Sequence, residues 1–209
     1  MKTRAMIACG AIAGSLTILS FVTMFVVNDG WTPATVLATS QSSSPLAPKS
    51  QDKYSVRVPG GLAFSEFKGF EDWSVIAVSQ NGANISPILG NQTVIEAFKA
   101  GIPENGKPFP DGSKMAKVHW IATKDATGTG GPLVPGGLRD IEFMTKDSKR
   151  FRDSHGWGYG DFYYEASTDS WRSGDLQDKP PQANDAKCGA ACHESVADRN
   201  YVFTHYGPR

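Results

Sequence analysis

Polar and apolar residues alternate along KMAKVHWIAT (114–123). Ala116, Val118, Trp120 and Ala122 fall on one side of an extended chain, and Met115, Lys117, His119 and Ile121 on the other. WSVIAVS (73–79), RDIEFMT (139–145) and WGYGDFYYE (157–165) are short runs rich in β-branched and aromatic residues, with Gly, Pro, Asn and Asp clustered between them. These four stretches predict strands. TVIEAFKA (93–100) predicts a helix, with Thr93 and Glu96 spaced as a capping box and Gly101 placed as the glycine after its last turn. A second short helix is predicted around Cys188 and Cys192, running on through ESVADRN. The Gly-rich GTGGPLVPGG (128–137) predicts a loop, and it lacks the Lys-Ser/Thr ending and the following helix of a phosphate cradle. The pattern describes a mainly β (α+β) domain, an antiparallel sheet with a few short helices.

Nearer the N-terminus the pattern changes. Lys2 and Arg4 precede an uncharged apolar run from Ala5 to Val27, so residues 1–27 read as a signal peptide or an N-terminal membrane anchor. Val36 and Ala38 suit cleavage, whereas the length of the run suits a retained span. Either reading places the remainder outside the cytoplasm, and a periplasmic location is expected. Residues 28–52, rich in Ser, Thr, Pro and Ala, read as a flexible tether, and residues 53–209 as the folded domain with one core. Lys and Arg total 21 against 21 Asp and Glu. This balance gives no electrostatic case for nucleic acid or an acidic membrane surface as partner.

Candidate chemistry concentrates in KCGAACHE (187–194). The covalent haem signature is Cys-x-x-Cys-His; here three residues, Gly189, Ala190 and Ala191, separate Cys188 from Cys192 before His193. On a helix, residues four apart share a face, so the extra residue need not part the two sulfurs. The small spacers would let a flat porphyrin approach the backbone. Cys9 lies in the apolar run, which leaves Cys188 and Cys192 as the cysteines of the exported part. Three chemistries suit the motif. Two thioethers can fix a haem whose iron is ligated by His193. A local disulfide is permitted in an oxidising compartment. Zinc is the third, though it lacks a fourth ligand. Candidates for a second axial iron ligand are Met115, Met144, His119, His155 and His205. Without one, the iron is five-coordinate, and an open face suits chemistry or gas binding. The sixteen residues after His193 are too few to build a small helical cytochrome, so a haem here must be held by the β domain before it.

ILGNQTVIEAFKAG (88–101), PFPDGSKMAKVHW (108–120), DIEFMTKDSKRF (140–151), HGWGYGDFYYE (155–165) and CGAACHESVADRNYVFTHYG (188–207) together resemble the cytochrome P-460 family, which includes cytochrome c′-beta. The resemblance implies an antiparallel β domain, usually a homodimer, with a C-terminal c-type haem site. It implies a covalent haem c on Cys188 and Cys192, its iron on His193. Members of the P-460 type oxidise hydroxylamine and carry a lysine bonded to the porphyrin edge, after a Pro-Asp-Gly turn. Pro110, Asp111 and Gly112 match that turn and Lys117 matches the lysine, with Lys114 as competitor. Members of the c′-beta type bind nitric oxide at a five-coordinate haem without that activity. A plain electron carrier is a third alternative. The three-residue spacer departs from the family's common Cys-x-x-Cys-His. Enzymatic members place a carboxylate over the open face, ahead of the cysteine motif. Asp175, Asp178 and Asp185 lie in that stretch and none aligns, which leaves the catalytic residue unassigned. Phe143, Trp157, Phe162 and Tyr164 are the aromatic candidates for a haem wall. The expected partners are a small nitrogen-containing molecule or nitric oxide, and a periplasmic electron-transfer protein.

Overall fold

Six strands pair in chain order, each antiparallel to the next: β1 Ser74–Asn81, β2 Asn84–Gly90, β3 Lys114–Lys124, β4 Leu133–Lys146, β5 Trp157–Glu165 and β6 Ser170–Ser173. The computed structural model describes residues 51–57, 61–128, 130–174 and 184–209, with backbone alone over 184–188. The apolar segment 1–27, most of the tether, Cys9, Asp175 and Asp178 lie outside the described residues. Among the described residues no helix is long and apolar enough to cross a membrane.

The alternation along β3 sorts the core into two layers. Ala116 and Val118 pack with Ile141, Phe143 and Phe162 against Phe64, Phe67 and Phe70, which come from two short 3-10 turns, Phe64–Phe67 and Phe70–Asp72. On the other face Met115, Met144, Trp157 and Tyr159 pack with Val94, Ile95, Ala97 and Phe98 of the helix α1 (Gln92–Lys99), and with Phe109 and Val202. A sheet covered on both faces buries alternate residues toward each cover, so one strand can serve an all-apolar layer and a site-bearing layer at once.

Three expectations are corrected. Asn91, not Thr93, caps α1. Its side-chain oxygen accepts the Val94 and Lys114 N–H groups at 3.1 Å each, and its amide donates to the Gly112 carbonyl at 2.8 Å. Asn91 is still extended at the end of β2, as a cap must be, whereas Thr93 already lies in the first turn and Glu96 bonds Gln92 instead of closing a capping box. Gly101 does occupy the expected position, with a left-handed φ of 83° and its N–H on the Phe98 carbonyl. The Gly-rich stretch at 128–137 is not all loop, because β4 begins at Leu133 and pairs through Pro135 with Ala122. β2, with Pro87 inside it, was not expected as a strand. Pro87 pairs with Val78 of β1, while on the β3 side the ladder skips from Ile85 to Ile88, so no bond is asked of its missing N–H.

Candidate haem site

The register of β3, β4 and β5 stacks three rows of side chains on the α1 face. The first is Met115–Met144–Tyr159, the second Lys117–Glu142–Asp161, and the third His119–Asp140–Tyr163. The first row is apolar and buried; the next two are polar. The helix α2 (Asn184–His193) lies on β5 beside the first row. Gly189 makes that approach possible: a Cβ there would sit 2.9 Å from Cβ and Cγ of Tyr159. The smallness of Gly189 thus serves helix–strand packing, and Ala190 packs onto the same apolar cluster, while Ala191 is exposed. We expect Gly189→Val to cost about 1–3 kcal/mol by overpacking, read as a lowered thermal midpoint together with a lowered haem content.

One helical turn on, the His193 ring meets Tyr159 at a centroid distance of 4.9 Å and Phe203 at 4.8 Å. Its Nδ1–H donates to the Tyr201 carbonyl at 2.5 Å, and among the described residues Nε2 has no partner. Burial pushes the imidazole below its ordinary value, against the Tyr201 bond and the Glu142 charge, which favour the proton. A neutral ring with Nδ1–H committed and the Nε2 lone pair available is the form that ligates a metal. Cys192 carries a free, exposed thiol, so the structure does not take up the disulfide alternative. Cys188 lies on α2 one turn earlier. Phe203, packed edge-on against the imidazole, leaves 48% of its surface exposed. An oriented imidazole, a free thiol and a half-exposed aromatic ring together fit a haem. Among the described residues, which leave out the side chain of Cys188, no cluster of three or more metal-ligating groups is present.

Lys117 and Glu142 are close enough for their charges to act on His193. Lys117 Nζ is 3.9 Å from Glu142 Oε2, and His119 Nε2 is 3.2 Å from the same oxygen. The His119 contact has the length of a hydrogen bond but not its alignment, since Nε2 meets no acceptor in line, so it is one of proximity and charge. His119 Nδ1 lies 3.3 Å from the Ser86 hydroxyl. Burial would raise the Glu142 carboxyl, but contact with His119 and the charges of His119, Lys117 and Arg139 outweigh it and hold it below the ordinary value. In the next row Asp140 is buried and paired to Arg139 at 2.8 Å. Tyr163 is pushed up to about 12 by burial and by Asp161.

The sequence candidates divide accordingly. Lys117 lies within charge range of His193, whereas the Lys114 amine is spent on the Glu66 carbonyl at 2.6 Å. Met115 and Met144 face each other inside the apolar cluster, His155 pairs with Glu194 at 3.2 Å, and His205 lies exposed against Arg199. Of the proposed second ligands, His119 shares the Glu142 carboxylate with Lys117. Phe143 and Phe162 are core residues of the opposite face, Tyr164 packs on Trp171, and Trp157 is buried with its N–H on the Asn200 carbonyl. Tyr159 and Phe203 are the aromatic neighbours of His193 instead. Glu142 was missed by sequence reasoning, although its place in the alternating RDIEFMT was a signal. The side chain of Asp185 lies outside the described residues.

The oriented imidazole of α2, laid across β5, fits the class that the family match defines, a c-type haem protein. Residues 67–204 match the family Cytochrome P460, and the chain belongs to that family. No curated protein matches the chain.

Proposed function

We propose that this chain is an exported mono-haem cytochrome that oxidises hydroxylamine or a related small nitrogen compound at an open haem face. The observation that carries the reading is the Lys117–Glu142–His119 group on the α1 face of the sheet, its carboxylate and amine within charge range of His193. Cys188 and Cys192 would anchor haem c through thioethers and His193 would ligate its iron. When bound, the haem supplies an iron that takes up the nitrogen compound and accepts its electrons. Glu142, held ionised, is the acceptor for a hydrogen bond or proton from a protic nitrogen compound. His119 steadies that carboxylate from one side and Lys117 from the other. Lys117 is also the amine that the family likeness assigns to the porphyrin edge. A periplasmic acceptor protein, a homodimer and an N-terminal anchor belong to the same proposal.

The test is a visible spectrum and a hydroxylamine assay with an artificial acceptor, on haem-loaded protein. We expect turnover, a red-shifted Soret band and a Lys117–haem adduct by mass spectrometry. Lys117→Arg removes the bond, and should restore an ordinary c-type band. An ordinary band in the wild type, with tight nitric oxide binding and no turnover, would replace this reading with that of a binding protein. A six-coordinate low-spin spectrum would replace it with that of an electron carrier.

A further inference from the structure

The carbonyl that holds His193 belongs to a backbone segment in an unusual conformation. Asn200 and Tyr201 are consecutive non-glycine residues with positive φ, 52° and 66°. Asparagine visits this region readily; a bulky tyrosine does not, and stays there only where its surroundings fix it. The surroundings are specific. The Asn200 side chain accepts the Phe109 N–H at 2.8 Å, and its carbonyl accepts the indole N–H of the fully buried Trp157 at 3.0 Å. The Tyr201 N–H donates to Val196 O at 3.0 Å. Its ring stacks on His155 at 4.5 Å, with planes 11° apart. His155 is itself held, its carbonyl by the Lys146 amine at 2.7 Å and its Nε2 by Glu194 at 3.2 Å. These contacts hold the segment from which the Tyr201 carbonyl accepts His193 Nδ1–H.

We propose that Asn200–Tyr201 is a strap that sets the donor strength of the His193 imidazole, and that His155 is a positioning residue that acts through the stacked Tyr201 ring. A firm Nδ1–H···O=C bond shifts electron density toward Nε2 and makes the imidazole a stronger ligand. Loosening the strap weakens the ligand and favours reduced over oxidised iron. The inference rests on the reading that haem iron is carried on His193.

The experiment uses the full haem-loaded protein and two pairs of variants. His155→Ala and Tyr201→Leu remove the stack from either side; His155→Phe and Tyr201→Phe keep it. Resonance Raman spectroscopy of the ferrous protein reads the iron–imidazole stretch, and a redox titration reads the midpoint potential. In both deletions we expect the stretch to shift down and the potential up, by similar amounts, with little further change in the double variant. Both phenylalanine variants should match the wild type. Should one deletion fail to fold, the other reads the same contact from its opposite side. A colourless wild type would sink the haem reading itself. A coloured wild type whose stretch and potential ignore both deletions, at unchanged unfolding midpoints, overturns the strap alone.

Discussion

Truncating Phe64 to alanine will remove about 3–5 kcal/mol of stability, the range for deleting a buried phenylalanine. Phe64 is fully buried at the hub of the aromatic layer, with ring centroids of Phe143, Phe162 and Trp171 between 5.1 and 5.2 Å away and those of Tyr54 and Phe70 near 6 Å. Two terms add. The apolar area lost from burial accounts for one, and a cavity accounts for the other, because strands fixed by register cannot collapse inward to fill it. Edge-to-face geometry contributes beyond area. Against a total stability of about 5–15 kcal/mol, such a loss is a large share. Urea denaturation followed by tryptophan fluorescence checks it: the midpoint should fall with the slope unchanged. Phe64→Leu, which fills most of the space, should cost well under half as much. A loss below about 1 kcal/mol for the alanine variant would mean that the layer does not pack as described.

The strand side of that layer was legible in the sequence; its cover, the 3-10 turns that carry Phe64, Phe67 and Phe70, was not. Alternation along β3 placed Ala116, Val118 and Trp120 opposite Met115, Lys117 and His119, and the structure keeps the two sets on separate faces. β5 spans the predicted Trp157–Glu165 because Gly and turn residues bound it on both sides. What failed was local punctuation overridden by pairing. Pro87 and the run Pro135, Gly136, Gly137 signal breaks to a window of a few residues, but neighbouring strands hold them in the sheet at register gaps. The site divides in the same way. His193 follows from the cysteine motif, and Lys117 from its distance after the Pro-Asp-Gly turn. That turn is pinned by Asp111, which accepts the Ser148 N–H and hydroxyl at 2.9 and 2.6 Å. The alternation of RDIEFMT gives the face of Glu142 but not its partners; these, like the His155–Tyr201 stack, are brought together across strands and loops, and no spacing in the chain encodes that.

Replacing Glu142 by glutamine should lower hydroxylamine turnover by about 10²–10⁴-fold, the usual contribution of a positioned acid–base group. Glutamine keeps the shape and can still touch Lys117 and His119, so the fold and the haem spectrum should survive. What it removes is the capacity to take a proton. The pH profile then separates this role from simple packing. Burial raises the Glu142 carboxyl, and His119, Lys117 and Arg139 lower it by more, so it stays ionised to a lower pH than an ordinary glutamate. The acid limb of kcat/KM in the wild type should therefore lie below that expected for a free glutamate side chain. His119→Leu deletes the foremost lowering cause and leaves the burial, so the same limb must move to higher pH, with both proteins assayed on the same substrate to cancel its own titration. The stability of the folded domain carries the same sign: the benefit from ionised Glu142 is present above the carboxyl's unfolded value and fades as pH falls through the lowered folded one. A Glu142→Gln protein that turns over at the wild-type rate, or a His119→Leu profile that does not move, would remove the carboxylate from the chemistry and leave it as the partner of a surface lysine.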